Sequence, residues 1–245
     1  MNRKLTIDMA YPYVYETHLH TSQGSACGLN TGSDMAKACK EAGYDGIIVT
    51  DHFFYGNTAV DRSLPWSVWV EEFCKGYEDA KKEGDRIGLK VFFGWEACYK
   101  AVDFLVYGLD KAWLLDHPEI RDASISEQYQ LVKASGGMVI HAHPYREEVY
   151  IPCVRLYPEY VDGVETVNAA HYIKYRRNDQ IPDWDEKALK YAQKHDFRMT
   201  AGSDIHSTNL ILGGMAFKEE LHTIQDYIKA VMERKECRLL GKIVS

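Results

Sequence analysis

The sequence predicts an α/β fold in which one domain, residues 1–245, wraps a largely parallel sheet into a barrel or barrel-like layer with helices outside. Short apolar runs alternate with amphipathic stretches along the whole chain. The runs are apolar nearly throughout, as strands covered on both faces must be. No internal repeat, low-complexity tract or Pro/Gly/Ser linker divides the 245 residues, a length ordinary for a single α/β barrel.

Taken in order, the first run, "YVYETHLH", leads into the helix "SDMAKACKEAG", for which Ser33 is the expected N-cap and Gly43 the terminator. The strand "YDGIIVTDH" precedes the amphipathic stretch "WSVWVEEFCKGYEDAKKEG". The runs "LKVFFGWEA" and "VDFLVYGLD" follow, then the helix "SEQYQLVKASGG", the strand "GMVIHAHP" and the run "VDGVETVNA". The helix "DWDEKALKYAQKHD", the strand "FRMTAGSDIH" and the late helix "HTIQDYIKAVMERKE" complete the chain. Strands separated by helices this often predict parallel pairing.

Composition limits the function. No apolar run has the length of a membrane span, so no membrane partner is expected. The N-terminal "MNRKLTIDMAYPY" lacks the apolar segment and small-residue cleavage site of a signal peptide, which makes a cytoplasmic location the expectation. A formal net charge of −7 argues against a nucleic-acid partner while leaving small phosphorylated substrates open. Cys27, Cys39, Cys74, Cys98, Cys153 and Cys237 form no C-x-x-C pair and read as reduced thiols, mostly core fillers.

Histidines and carboxylates gather at the C-terminal ends of the predicted strands: His18 and His20, Asp51 and His52, Glu96, Asp103, His141 and His143, Asp204 and His206. That is the rim where a parallel barrel keeps its chemistry. Alternate side chains of a strand share a face, so His18 and His20 point one way, as do Asp204 and His206, while Glu96 offers a carboxylate able to bridge two ions. Asp51 and His52 are consecutive and must diverge. His52 is the expected ligand, and Asp51 either orients a ligating imidazole or serves as an acid/base group. His141, one inward step deeper than His143, reads as a hydrogen-bonded core or supporting residue. Such mixed donors suit Zn, Mn or Fe.

The ordered motifs "ETHLHT", "VTDHF", "GWEA", "HAHP" and "GSDIH" resemble the polymerase and histidinol phosphatase family, PHP, over essentially the whole chain. The resemblance implies a distorted (β/α)7 TIM-like barrel, two or three divalent metal ions, and phosphoester hydrolysis. Carried over by motif, His18, His20, Glu96 and Asp204 would surround the first ion, and Glu96 would bridge to a second held also by His143. His52 and His206 would hold a third. The sequence departs from the family's pattern twice. Asp103 stands where a histidine is common and can still ligate. Ser25 stands where an acid or histidine is usual, which leaves the third site short of a donor unless Cys27, Asn30 or water supplies it.

Such a site would hydrolyse a phosphomonoester or short phosphodiester through a metal-bridging hydroxide, with Asp51 or a water protonating the leaving alkoxide and Asp204 as the second catalytic carboxylate. Arg146, just past "HAHPYR", is the best-placed cation for the substrate phosphate; Lys174, Arg176 and Arg177 are further candidates. Phe53, Phe54, Tyr55, Trp66 and Trp69 read either as a substrate wall or as packing. A C–N hydrolase of the amidohydrolase type also opens with His-x-His and ends with an aspartate, but no strand end here offers a bridging lysine. Ser25 motivates a third alternative, a degenerate metal-binding domain without catalysis.

Overall fold

Apolar runs become strands, and the crossovers become helices. β1 (Tyr13–Leu19), α1 (Gly32–Ala42), β2 (Gly46–Val49), α2 (Trp66–Phe73), α3 (Lys75–Ile87) and β3 (Lys90–Cys98) form the first half, with β1, β2 and β3 paired in parallel. β4 (Asp103–Tyr107), α4 (Lys111–Asp116), α5 (Ile125–Ala134) and β5 (Met138–His141) follow. Next come β6 (Gly163–Asn168), α6 (Ala170–Ile173), α7 (Trp184–His195) and β7 (Arg198–Gly202). The described chain ends with β8 (Gly214–Phe217), α8 (Ile224–Met232) and β9 (Cys237–Leu240). This computed structural model describes residues 4–173, 180–209 and 213–241.

Among the described residues the strands form one nine-stranded sheet in the order β7-β6-β5-β4-β3-β2-β1-β8-β9. It curls until the two halves nearly meet. Beyond β7, Ile205 bridges in parallel to Leu19, and its carbonyl accepts the His20 N–H at 2.9 Å. The expected barrel-like architecture, with strands and helices alternating in one domain, is therefore present. Its distortion comes from β8 and β9, a pair the sequence reading omitted, which add antiparallel beside the early part of β1. Gly214 makes that docking possible: at φ 113° its missing Cβ would lie 2.2 Å from the Tyr15 carbonyl oxygen.

Parallel pairing fails at β4, which runs antiparallel to both β3 and β5. The cause is the link. Cys98 pairs directly with Asp103, Tyr99 and Val102 exchange backbone hydrogen bonds, and Lys100 and Ala101 take left-handed φ values of 54° and 66°. A reversal this tight cannot return the chain to the other end of the sheet, as a parallel neighbour requires. Asp103 consequently opens its strand, yet lies on the rim where the other strands end.

Helix ends follow local chemistry with one correction. The α1 N-cap is Thr31, whose hydroxyl accepts from the Asp34 N–H, and not Ser33; Gly43 ends the helix at φ 101° as expected. Of the aromatic run after His52, Phe53, Phe54, Trp66 and Trp69 are packing, while Tyr55 is 58% exposed. Phe53, Phe54 and Trp69 are buried, Trp69 stacks on Phe73 at 4.7 Å, and Trp66 donates its indole N–H to the Leu114 carbonyl. Burying such side chains contributes about 1.5–3 kcal/mol each. It also anchors the segment carrying His52, because the Phe53 N–H donates to the Glu96 carbonyl at 2.8 Å. Cys39 and Cys74 are buried, Cys153 is exposed, and all six cysteines are free thiols. No helix among the described residues is long and apolar enough to cross a membrane.

Candidate metal centre

At the end of β1, His18 and His20 lie on one face with ring centroids 5.1 Å apart, both fully buried. Glu96, near the end of β3, sits opposite and is shared by the imidazoles. Its Oε1 lies 3.4 Å from His18 Nε2 and 3.1 Å from His143 Nε2; its Oε2 lies 3.5 Å from His20 Nε2 and 2.8 Å from His52 Nδ1. Asp204 Oδ1 adds a further oxygen 3.2 Å from His20 Nε2 and 3.6 Å from His18 Nε2. His206 stacks on His20 at 4.4 Å, and Asp103 Oδ2 lies 4.0 Å from His143 Nε2. Every residue expected as a ligand is thus brought together: His18, His20, His52, Glu96, Asp103, His143, Asp204 and His206 form four overlapping groups whose ligand atoms lie within 4.8 Å of one another.

The geometry fits cations. His18 Nε2, His20 Nε2, His52 Nδ1 and Glu96 Oε2 are buried without a hydrogen-bond partner. Buried polar atoms are otherwise almost always partnered, and each orphan costs about 1–3 kcal/mol. His143 and Asp204 also occupy left-handed backbone, at φ 27° and 53°, a conformation that costs non-glycine residues about 1–3 kcal/mol and clusters at functional sites.

An outer ring fixes which nitrogen of each imidazole faces inward. His18 Nδ1 donates to Glu165 Oε1 at 2.9 Å, which leaves Nε2 as the inward lone pair. Glu165 Oε2 accepts the His143 N–H and an Asn168 side-chain N–H. His206 Nδ1 donates to the Asp204 carbonyl at 2.9 Å. Ser25 does the same for His20. Its hydroxyl donates to Asp51 Oδ1 at 2.7 Å and accepts from His20 Nδ1 at 3.1 Å and from the His52 N–H at 2.9 Å. Ser25 is therefore a fully buried relay to His20 and not a ligand position left weak.

Asp51 lies behind that relay. Besides Ser25 it accepts the Thr21 N–H at 2.6 Å and the Thr21 hydroxyl at 2.7 Å. Two glycines close around it: a Cβ at Gly24 would stand 2.4 Å from Asp51 Cγ, and one at Gly76 2.8 Å from Oδ2. Of the two roles the sequence allowed Asp51, the geometry fits orientation of an imidazole and leaves no path for acid/base work. Arg146 also differs from expectation. Its Nη2 donates to Asp204 Oδ2 at 2.5 Å and its Nε to His171 Nε2 at 3.2 Å, while His171 Nδ1 donates to Asp185 at 2.7 Å. The guanidinium is engaged with a cluster carboxylate rather than held out for substrate. His141 is core, buried and stacked on Phe104 at 5.0 Å, and burial lowers its pKa to about 3. Lys174, Arg176 and Arg177 lie outside the described residues.

Electrostatics suit ligation. Burial would raise the Glu96 and Asp204 carboxyls, but His52 and His18 hold Glu96, and Arg146 and His18 hold Asp204, well below the usual carboxylate range. Burial, with His206 and His52 beside it, keeps His20 neutral. Burial opposes charge on His18 and His52 too, yet the facing carboxylates, Glu165 foremost for His18 and Glu96 for His52, raise both well above the ordinary imidazole value. Glu165, Glu16, His171 and Asp185 escaped the sequence reading. Glu16 accepts the His18 and Ser203 N–H groups, tying β1 to the segment after β7.

The PHP domain family model matches residues 16–236. No curated protein matches the chain in sequence. Among solved structures, the chain is similar to a Bifidobacterium adolescentis ATCC 15703 protein provisionally assigned as a metal-dependent phosphoesterase, at 17% identity and TM-score 0.55, covering 91% of this chain and 96% of the other. A two-domain protein of Bacteroides vulgatus ATCC 8482, containing a predicted PHP-like metal-dependent phosphoesterase, aligns at 15% identity and TM-score 0.66 over 96% of this chain and 68% of its own. A Chromobacterium violaceum amidohydrolase with bound sulfate and no metal aligns at 14% identity and TM-score 0.52 over 78% and 87%. At these identities the likeness is one of fold.

Proposed function

The chain belongs to the PHP domain family, and on that premise we propose that it is a metal-dependent phosphoesterase that hydrolyses a small phosphorylated substrate, a phosphomonoester or short phosphodiester. The observation that carries this reading is Glu96. Each of its oxygens faces two imidazoles, the arrangement of a carboxylate shared between neighbouring cations. His18, His20 and Asp204 would hold one ion with Glu96, His143 and Asp103 a second, and His52 and His206 a third. When bound, Zn, Mn or Fe ions lower the pKa of water and neutralise phosphoryl oxygens, which is what phosphoester hydrolysis needs.

The chain's own residues supply position. Ser25 and Glu165 hold His20 and His18 in the tautomers that present Nε2 inward, and Arg146 holds Asp204 from behind. The centre opens on the side where the side chains of His52, His206 and Asp103 are 16%, 20% and 18% exposed, so substrate approaches there. With Asp51 enclosed, the leaving alkoxide takes its proton from water at that opening.

A cleft of about 20 Å³ adjoins the cluster, lined by Asp103, His143, Arg146 and Arg155 among others. Beside the roughly 300–1,000 Å³ of common ligand sites it is room for a water-sized group only, so a substrate would lie over its mouth and not inside it. Arg155 is anchored to the Lys100 and Tyr99 carbonyls through Nη2, but its buried Nε has no partner. It is the cation we assign to the substrate phosphate in place of Arg146. The test is phosphate release from a panel of phosphomonoesters and phosphodiesters with Zn, Mn or Fe supplied, beside hydrolysis of cyclic amides. Turnover confined to phosphoesters and lost in Glu96→Ala is expected; turnover of cyclic amides alone would replace this reading with the amidohydrolase one.

A further inference from the structure

Two of the groups that face the centre are held by residues well outside it, and both lines of support end on one carboxylate. From Asp204 the first line runs through Arg146, whose Nη2 donates to Oδ2 at 2.5 Å, to His171, whose Nε2 accepts from Arg146 Nε at 3.2 Å. His171 Nδ1 then donates to Asp185 Oδ1 at 2.7 Å. From His18 the second line runs through Glu165, whose Oε1 accepts from His18 Nδ1 at 2.9 Å and whose Oε2 accepts from Asn168 Nδ2 at 3.0 Å. The Asn168 N–H donates to Asp185 Oδ2 at 3.2 Å. Asp185, in the first turn of α7, thus gives one oxygen to each line. At their inner ends His18 Nε2 and Asp204 Oδ1 lie 3.6 Å apart.

The first line admits one arrangement of protons. A guanidinium carries donors only, so His171 Nε2 must offer a lone pair and Nδ1 must hold the proton. Asp185, an acceptor, fixes that tautomer. Burial lowers the His171 pKa, Asp185 opposes the shift and Arg146 adds to it, so the ring stays neutral. Asp185, His171, Asn168 and Glu165 are all buried, where a lost partner is not replaced by solvent. The start of a helix is also where a buried carboxylate is best tolerated.

We propose that Asp185 is a positioning residue for the metal centre: through His171 and Arg146 it directs Asp204 Oδ1 toward the ion, and through Asn168 and Glu165 it turns His18 Nε2 inward. One carboxylate on α7 then sets two ligands of the same ion. The proposal rests on reading the cluster as a metal centre. Its rival is that Asp185 ties α7 to β6 and leaves the ligands unaffected.

The experiment titrates Zn into the full chain stripped of metal and reads affinity by calorimetry, with far-ultraviolet circular dichroism as the check on folding. Asp185→Asn should weaken the tightest zinc about tenfold, the lower end of what losing an outer partner costs a metal site, because the amide has one oxygen where the carboxylate uses two. Asp183→Asn, at the exposed start of the same helix, should leave it unchanged. His171→Phe should also weaken zinc, and His171→Gln, whose amide can accept from Arg146 and donate to Asp185, should recover most of that loss. His171→Phe added to Asp185→Asn should cost little more than Asp185→Asn alone, since the two lie on one line. In the metal-free wild type, nitrogen NMR of His171 should show a neutral ring protonated on Nδ1, a measurement that needs no variant to fold. Wild-type zinc affinity in folded Asp185→Asn, equal losses in His171→Gln and His171→Phe, or a His171 ring protonated on Nε2 overturns the proposal alone. A wild type that binds no zinc overturns the reading of the cluster and the proposal with it.

Discussion

Replacing Ser25 with alanine removes one oxygen and unsettles three partners. The hydroxyl donates to buried Asp51 at 2.7 Å and accepts from His20 Nδ1 at 3.1 Å and the His52 N–H at 2.9 Å. A hydrogen bond to a charged group is worth about 1.5–3 kcal/mol, and each buried donor left without an acceptor costs about 1–3 kcal/mol. Asp51 keeps both bonds to Thr21, and the His52 segment has room to relax, so the sum falls short of the separate values. We expect a loss of about 2–4 kcal/mol, a fall in Tm of roughly 5–15 °C for a chain of this size. Without its acceptor His20 no longer favours the Nδ1-protonated tautomer, and metal affinity should drop about 10- to 100-fold. Ser25→Asp should do worse, because it sets a second carboxylate against Asp51 where Gly24 and Gly76 leave no space. Thermal melts of stripped and loaded protein, with calorimetric metal titration, read both effects. Unchanged stability and affinity in Ser25→Ala, or metal gained by Ser25→Asp, would refute the relay.

Glu165→Gln should lower metal affinity about 10- to 100-fold with the far-ultraviolet circular dichroism unchanged, since an amide cannot accept from His18, His143 and Asn168 together; wild-type affinity would show that His18 needs no such partner. Arg146→Ala takes the guanidinium from buried Asp204 and leaves that carboxylate only the imidazoles of His18, His20 and His206, at a cost of up to about 3–5 kcal/mol in metal-free protein and less once cations face it. Equal destabilisation in both forms, seen in denaturant titrations, would count against a charge role for Arg146. Metal affinity should fall with falling pH, about tenfold per unit for each displaced proton, because the carboxylates hold His18 and His52 protonated above the ordinary imidazole range and ions must displace those protons. A flat affinity from pH 8 to pH 6 would contradict this.

Much of the fold was legible because apolar runs buried on both faces announce strands regardless of pairing. Direction was not. The pattern of "VDFLVYG" is the same whether β4 runs up or down, and the clue lay in the link from Tyr99 to Val102, too short for a crossover. β8 and β9 were missed because each spans only four residues and β9 is largely half-exposed, so no continuous apolar run marks them. Ligand types at strand ends made the inner cluster readable. The outer ring was not, since Glu165 reaches His18 across 147 residues and Arg146 reaches Asp204 across 58. Glu165 left one trace, a lone acid within the apolar middle of "VDGVETVNA". Ser25 holds a ligand's position in the motif yet bonds Asp51, His20 and the His52 N–H, a placement that motif position alone does not reveal.

The most direct test is phosphate release from a phosphomonoester and phosphodiester panel while Zn or Mn is titrated into stripped protein, with bound metal measured in the same samples. Release that rises with bound metal, levels off at two or three ions per chain and vanishes in Glu96→Ala is the predicted result. Stoichiometric metal binding with no phosphate released from any ester would contradict the account and leave a metal-binding domain without this catalysis.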